Sequence, residues 1–499
     1  MSRKLRPGPQ ALMVVVAMVS SLGGCTGLHE YVHNGFKVGP NYAAPEAPVA
    51  EQWIDSADSH VKSDSYDLSH WWTVFNDPVL NSLIQEAYQQ NLPLREAGFR
   101  VLQARYQLAI AKGNIFPQKQ DALGSYEHSQ GVGGSSDNWS TGFNLAWELD
   151  FWGRFRRAIL GAEAQLDRSV EDYDAVSVTL LGDVATYYIQ MRVAEQQIKW
   201  TKENVKIQKD SWDAIHEKNV EGVIGISDID DSQLLAQLRN TEAQIPALEI
   251  IQRQAANRIC ILLGMPPKAL QDRVGSQDIP MLNPDIAVVI PAQLLQRRPD
   301  VRRAEREVAA QAQQIGIAQA ALYPAISISG NMGYSAAQFG DLFSSQAFNG
   351  SVGPSFQWNV LNYGRLVNNV RLQDAKFQEI VVTYQQTVLR AGEEVENGII
   401  SFLRSQQRAQ FLGQSVEASK MAVGTSEVRL GKGWLGADIN RLATIQQDLV
   451  TRQDALAQAR GQIALGLIEV YRGLGGGWEI RLNGGETTGV LPMAVPQNP

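Results

Sequence analysis

Between Phe143 and Arg154 the hydrophobic period of the chain changes abruptly. Phe143, Leu145, Trp147, Leu149 and Phe151 are apolar and Asn144, Glu148 and Asp150 between them are polar, the period of two that marks a strand with one greasy and one wet face. Past Gly153 the apolar positions Ile159, Ala162, Leu166, Val170 and Tyr173 recur every three or four residues, as on a helix. The switch returns in the second half. Val352, Pro354, Phe356, Trp358 and Val360 alternate with Ser351, Gly353, Ser355, Gln357 and Asn359, and Tyr363-Gly364-Arg365 opens another helical stretch. Gly153 and Gly364 lie 211 residues apart, and at that offset Trp147 meets Trp358, Tyr173 meets Tyr384, the pair Gly222/Gly225 meets Gly433/Gly436, and Gly264 meets Gly475. Ile115-Phe116-Pro117 matches Leu322-Tyr323-Pro324 at an offset of 207, so the two frames differ by four residues. The chain is an internal duplication, and this settles its architecture before any motif is weighed.

Each copy reads as helix, strand, strand, long helix, return helix. The first spans 77–267 and the second 292–475, joined by a Pro-rich linker at 268–291. In the first copy a helix starts at Asn76-Asp77-Pro78, with a capping residue and a proline in its first turn, and runs to Pro117. A weak strand is expected at 122–128, a polar glycine-rich loop at 129–138 and the strong strand at 143–151. In the second copy the strands fall at 326–334 and 352–360, with a loop at 335–349 between them. Each long helix of roughly 65–70 residues would be about 100 Å long, and its two flanking helices about 55 Å apiece. We therefore expect the two shorter helices to stack end to end beside the long one, giving four rods per chain. The four strands alternate greasy and wet over about 8–11 residues, as tilted membrane-spanning strands require. Four strands cannot close a barrel, and open edges are not tolerated in lipid, so closure needs two, three or four copies. The competing fold is a soluble two-layer sandwich on a coiled-coil stalk.

The N-terminus carries Arg3, Lys4 and Arg6, an apolar run from Ala11 to Val19, then Leu22-Gly23-Gly24-Cys25. Residues 1–24 read as a secretory signal, too short to span a membrane stably. Its ending resembles a bacterial lipobox, in which Cys25 is acylated and becomes the new N-terminus. Residues 25–76, with Val38-Gly39-Pro40-Asn41-Tyr42 and prolines at 45 and 48, show no period and read as an extended lipidated arm. The formal charge of −8 argues against nucleic acid as a partner. Cys260 is left as a lone thiol suited to core packing. Two cysteines and six scattered histidines suit neither a disulfide framework nor a zinc cluster, and no nucleophile elbow, Walker loop or metalloprotease motif occurs. Neither catalysis, a metal nor a cofactor is expected. Residues 476–499 are Gly- and Pro-rich and are expected to be disordered.

The ordered set of Gly39-Pro40-Asn41-Tyr42, Trp71-Trp72-x-x-Phe75-x-Asp77-Pro78, Trp147-Glu148-Leu149-Asp150-x-Trp152-Gly153-Arg154, Ile245-Pro246-Ala247-Leu248-Glu249, Leu262-Leu263-Gly264-x-Pro266, Arg297-Arg298-Pro299-Asp300 and Leu474-Gly475-Gly476-Gly477-Trp478 resembles the TolC-like outer-membrane efflux proteins, in their lipid-anchored OprM/NodT branch. The likeness covers nearly the whole chain from Cys25 to Trp478. It implies an α+β membrane protein: a homotrimer with a 12-stranded outer-membrane β-barrel, four strands per chain, continued by a 12-helix periplasmic α-barrel. It further implies a Gram-negative outer-membrane location and docking to a periplasmic adaptor and an inner-membrane pump, of RND type, for expulsion of drugs or other small molecules. A free-standing porin and a structural envelope lipoprotein are the competing functions.

A conduit needs a gate rather than a catalyst. The helix tips supply Asp228, Asp230 and Asp231 in the first copy and Asp438, Asn440 and Arg441 in the second, which three chains would gather into rings. Ser and Asp at a helix start also serve as caps, and both readings stand. Gly222, Gly225, Gly433 and Gly436 lie in the same tips, where the resemblance implies contact with the adaptor; turns also simply need glycine. Trp147, Trp152, Trp358 and Tyr363 fit an aromatic girdle at a membrane interface, with ordinary packing as the alternative.

Overall fold

A computed structural model describes residues 28–62, 68–223, 226–280, 285–287, 297–431 and 439–483. The signal segment, Cys25, Gly225, Gly433, Gly436 and Asp438 lie outside them. The chain forms two compact units, one made of Met1–Glu46, Arg100–Val170 and Arg303–Gln385, the other of Ala47–Phe99, Glu171–Arg302 and Gln386–Pro499. Each unit draws on both sequence repeats.

The duplication is reproduced residue for residue in the helices. Helix α3 (Leu92–Gly113) and helix α7 (Pro299–Ala320) both have 22 residues. The long helices α4 (Arg154–Val220) and α8 (Arg365–Gly431) both have 67, and the return helices α5 (Asp228–Leu262) and α9 (Ile439–Gly473) both have 35. Gly153 and Gly364 open the long helices with φ of 79° and 80°, and Gly264 and Gly475 follow the return helices with φ of 71° and 72°. Such left-handed backbone favours glycine at both junctions.

Besides the short helices α1 (Leu28–His33) and α6 (Gln271–Val274) and the parallel pair β1 (Val61–Lys62) and β4 (Ile286–Ala287) of the second unit, the described residues form one sheet, in the first unit, of four antiparallel strands in the order β2 (Lys119–Gly131), β3 (Gly134–Leu149), β5 (Ala325–Ala336), β6 (Phe348–Gln357). The register Leu145↔Gly330 and Trp147↔Ile328 joins the two repeats at the centre. No strand residue of this sheet is fully buried, so neither face is covered within the chain. Strands β2 and β3 are longer than expected. The segment 129–138 read as a polar loop is the outer end of both strands, joined by a two-residue turn at Val132-Gly133. Its serines and glycines misled because they pair across the strands: Ser129 with Ser136 at 2.8 Å, and Ser125 with Ser140 at 2.7 Å. The last strand runs 348–357 rather than 352–360, and β3 ends at Leu149, because Asp150 turns back to cap α4 through the Phe155 and Arg156 N–H groups.

The second unit is built on a buried stretch of α4 comprising Leu181, Val184, Ala185, Tyr188, Ile189 and Met191. Beside it stand a 3₁₀ turn (Trp71–Phe75) and helix α2 (Pro78–Gln90), whose cap Asp77 accepts from the Tyr188 hydroxyl, while Val395 and Phe402 of α8 lie against Gly473 and Gly466 of α9. Asp77 caps α2 as expected, accepting from the Val79 and Leu80 N–H groups. The first helix does not run unbroken to Pro117. It divides at Asn91, because Pro93 cannot donate the bond that would continue α2. Asn91 stitches the break, its Oδ1 accepting from Leu94 N–H and its Nδ2 donating to Leu262 O at 2.8 Å. Helix α3 thus starts against the end of α5. The second repeat makes the same joint, with Arg298 Nη1 donating to Gly473 O at 2.7 Å just before α7. The joints lie where the expected rods would meet, but α3 and α7 have only 22 residues, about 33 Å, against the roughly 55 Å expected. Two further segments depart from expectation. The linker folds onto α4, where buried Arg192 donates to Val274 O and Gly275 O. The start of the supposedly disordered tail is ordered: Gly476 and Gly477 lie against Trp71, and Arg481 donates to both Asp174 oxygens at 2.8 and 3.0 Å.

The N-terminal arm is held to the first unit by arginines that α4 supplies in its first turn. Arg157 is fully buried and donates to Val38 O, Gly39 O and Pro40 O and to Gln313. Gly316 makes room, since a Cβ there would lie 2.2 Å from Arg157 Cδ. Tyr42 completes the clamp by donating to Glu305 at 2.5 Å. Replacing Arg157 with Met should leave three carbonyls without their charged donor and cost about 3 kcal/mol. Limited proteolysis should then cut the arm near residues 38–42 well before the strands or helices.

Candidate functional site

The sheet segregates its side chains by face. Trp139, Thr141, Phe143, Leu145 and Trp147 of β3 share one face with Tyr126 of β2, with Ile326, Ile328, Met332 and Tyr334 of β5, and with Phe348, Val352, Pro354 and Phe356 of β6. The opposite face carries Asp121, Ser125, Ser129, Asn138, Ser140, Asn144, Glu148, Ser327, Asn331, Ser335, Ser351, Ser355 and Gln357. Its hydroxyls and amides bond sideways across strands: Ser335 donates to Asn138 at 2.8 Å and Ser351 donates to Asn331. Apart from Gln120 and the polar hairpin end around His128 and Asp137, one side of the single layer is therefore suited to hydrocarbon and the other to water.

Aromatic rings bound the apolar face at both ends. At the helix end, Trp147 Nε1 donates to Ile115 O at 2.9 Å and Trp358 Nε1 donates to Leu322 O at 3.0 Å. These are equivalent bonds in the two repeats, tying each second strand to the helix that precedes its hairpin. Trp152 reaches across repeats instead, donating to Pro324 O at 2.8 Å and stacking on Tyr323 at 4.5 Å. Its counterpart Tyr363 has no such partner; it is 97% exposed, with φ of 50°. At the hairpin end Tyr126 lies on Trp139 at 4.4 Å, Trp139 on Phe339 at 5.0 Å, and Tyr334 on Phe348 at 5.5 Å. Sequence reasoning missed this second row because Trp139 borders the segment read as loop. The signal was its parity, which it shares with Phe143 and Trp147. Eight residues separate Trp139 from Trp147, about 27 Å along a strand and about 20 Å of height at a 40° tilt.

At the far end of α4 the acidic residues are engaged one by one. Ser227 caps α5 in a capping box with Asp230, whose carboxylate accepts from the Ser227 N–H at 3.0 Å. Asp228 accepts from Asn219 at 3.0 Å, and Asp231 lies 3.1 Å from His216 Nδ1, while the His216 ring stacks on Trp212. Asp230 is thus a cap. Asn440 and Arg441 are exposed on the first turn of α9, where neighbouring Ile439, Leu442 and Ala443 pack with Ile215 and Leu234. Gly222 has φ of 68° and open space where a Cβ would go. With Val223 N–H bonding back to Lys218 O, it is a helix-ending glycine that its backbone demands. Replacing Ser227 with Ala should cost about 1 kcal/mol of local stability, read as faster amide exchange at residues 228–232 with the sheet unaffected.

The family model described as outer membrane efflux protein matches residues 83–265 and 290–476. Nodulation protein T of Rhizobium leguminosarum bv. trifolii is 29% identical over 442 residues, covering 85% of this chain and 91% of that protein. The pyoverdine export outer membrane protein OpmQ of Pseudomonas aeruginosa is 29% identical over 435 residues, covering 84% and 89%. The solved structure of the outer-membrane channel OprN superposes with a TM-score of 0.82 at 31% identity, covering 89% of this chain and 99% of that one.

Proposed function

From the premise that this chain belongs to the outer membrane efflux protein family, we propose how its parts serve that role. The protein is an outer-membrane efflux channel, the exit duct of a tripartite pump. We assign it a homotrimeric state, an acyl anchor on Cys25, a periplasmic adaptor at the helix tips and an inner-membrane pump of RND type. Its action is passive: it offers a polar path and no catalysis. One observation carries the reading. The sheet is a single layer, apolar on one face and polar on the other, with both outer strands unpaired among the described residues. In lipid such edges must be closed by other copies.

The duplication says how. Hairpin β2–β3 pairs Gln120 with Leu145, and hairpin β5–β6 pairs Ile326 with Phe356. Overlaying Leu145 on Phe356 places Gln120 on Ile326 and Gly124 on Gly330. The central step Leu145↔Gly330 then becomes Phe356 of one copy opposite Gly124 of the next. The same operation carries the Trp152 contact onto Tyr363, which would close on the Pro117 region of the neighbouring copy. The two aromatic rows become the girdles of the barrel, with Trp147, Trp152, Trp358 and Tyr363 at the periplasmic side.

Opposed residues of antiparallel strands stand about 4.5–5.5 Å apart, within disulfide reach. With Cys260 changed to Ala, the pair F356C and G124C should oxidise to a covalent ladder ending at three chains, while F356C with L123C, which faces the other way, should not. A ladder ending at two, or efficient linking only in the second variant, would overturn the assembly proposed.

The acidic first tip, with Asp228 and Asp231, and Asn440 and Arg441 at the second, form the proposed gate, to which the sequence adds Asp438. Gly222, Gly225, Gly433 and Gly436 are the proposed adaptor contacts. In planar bilayers the purified protein should show low resting conductance with cation preference, and D228N/D231N should reduce that preference severalfold by thinning the carboxylate ring. Large resting conductance would favour a free-standing porin. Unchanged drug sensitivity on deletion would favour a structural tether.

A further inference from the structure

A depression of about 260 Å³ opens beside the junction of sheet and helix, lined by Gly35, Lys37, Arg156, Ile159 and Leu160. Its two cations differ. Arg156 is spent on Asp150 at 2.9 Å and on Gly35 O and Phe36 O, and so forms a fixed wall. Lys37 is half-buried, its stem pressed on Gly153, which a Cβ could not share: it would lie 2.5 Å from Lys37 Cγ. No carboxylate among the described residues offsets Lys37. Burial, together with the charges of Arg157 and Arg156, pushes its ammonium below the ordinary lysine range. The remaining walls are the apolar side chains of Ile159 and Leu160. Around the depression Val32, Phe36, Phe151 and Leu160 are exposed at 55%, 54%, 49% and 37%. A folded protein that leaves four large apolar side chains and an uncompensated cation together presents a surface for an amphiphile.

The position says which kind. The depression lies at the end of β3, beside the Trp152 end of the apolar face, so it faces the level where lipid headgroups begin. We propose that this depression binds one anionic phospholipid per chain, its phosphate on Lys37 and an acyl chain along Ile159 and Leu160. The lipid would fasten the arm to the start of α4 and fix the height at which the junction sits. The inference rests on the outer-membrane placement above.

The test uses the full-length acylated assembly in mild detergent, titrated with phosphatidylglycerol or phosphatidylethanolamine and read by native mass spectrometry. Wild type should retain phosphatidylglycerol in preference, up to one per chain. Lys37→Gln should lose about fivefold in that preference, as expected for one juxtamembrane lysine. Leu160→Asn should weaken both lipids. Equal retention of the two lipids by wild type, or an unchanged Lys37→Gln variant, would overturn the site. Displacement of phosphatidylglycerol by millimolar inorganic phosphate would also overturn it, by showing an anion site indifferent to the acyl chain. Because Lys37 lies outside the strands, Lys37→Gln should still insert and support efflux; failure of wild type itself to insert would instead strike at the membrane placement.

Discussion

A β-strand edge left in hydrocarbon costs several kcal/mol for each backbone group it strands, and this chain has two such edges. Strands β2 and β6 end the sheet, and their outward N–H and C=O groups meet nothing in the described chain. Soluble proteins blunt such edges with charge, bulges or a covering helix. Here β6 carries Phe348, Val352 and Phe356 with no charged residue along its length. An edge so bare is tolerable only if it is never bare in the assembled protein. The two-faced sheet, the aromatic rows at its ends and the duplication that makes one edge fit the other follow from that requirement.

Because the sheet borrows nothing from a core of its own, the first unit depends on polar clamps at its helix junctions. The tryptophan N–H bonds to Ile115 O, Leu322 O and Pro324 O satisfy carbonyls of the short connections that follow α3 and α7. Arg157 does the same for the arm. A charge buried at 0% exposure is tolerable because it donates to three carbonyls at once, and the resulting network fixes where the arm enters. The second unit works differently, through packed Leu, Val, Ile and aromatic side chains around α4, with Gly466 letting α9 approach the Phe402 backbone.

Much of this was legible in the residues. The lengths of the long and return helices, the repeat and the glycine-marked junctions were readable because a change of period is a local signal. The outer halves of β2 and β3 were not, because strands that line water on one face can use Ser, Asn and Gly as freely as a loop does. Trp139 was hidden for the same reason. The break at Asn91 was written as Asn-Leu-Pro but was outweighed by continuing helical spacing. Arg157 and Arg481 carried no pattern, since a buried arginine is defined by the carbonyls or carboxylates it meets, and these lie far away in the chain.

The helices also differ along their length in what holds them. Near Leu181 to Met191 the buried side of α4 is mainly apolar, with the Tyr188 hydroxyl held by Asp77. Between that stretch and the apolar cluster at the tip around Ile215, it meets α9 through a polar ladder: Gln197 donates to Asp454, Asn204 to Gln453 at 2.6 Å, and Gln446 to Ser211 at 2.8 Å. Residues 197, 204 and 211 stand one heptad apart, so the ladder repeats on one stripe of the helix. Burial raises the Asp454 carboxyl above its ordinary range, and the buried amide of Gln208 finds no hydrogen-bond partner among the described residues. A seam of this kind specifies register while contributing little net stability, because each bond mostly replaces one to water. Local opening free energy should therefore be lower along the ladder than at the apolar centre of α4. The apolar middle of α4 is thus held more firmly than the polar ladder beside it.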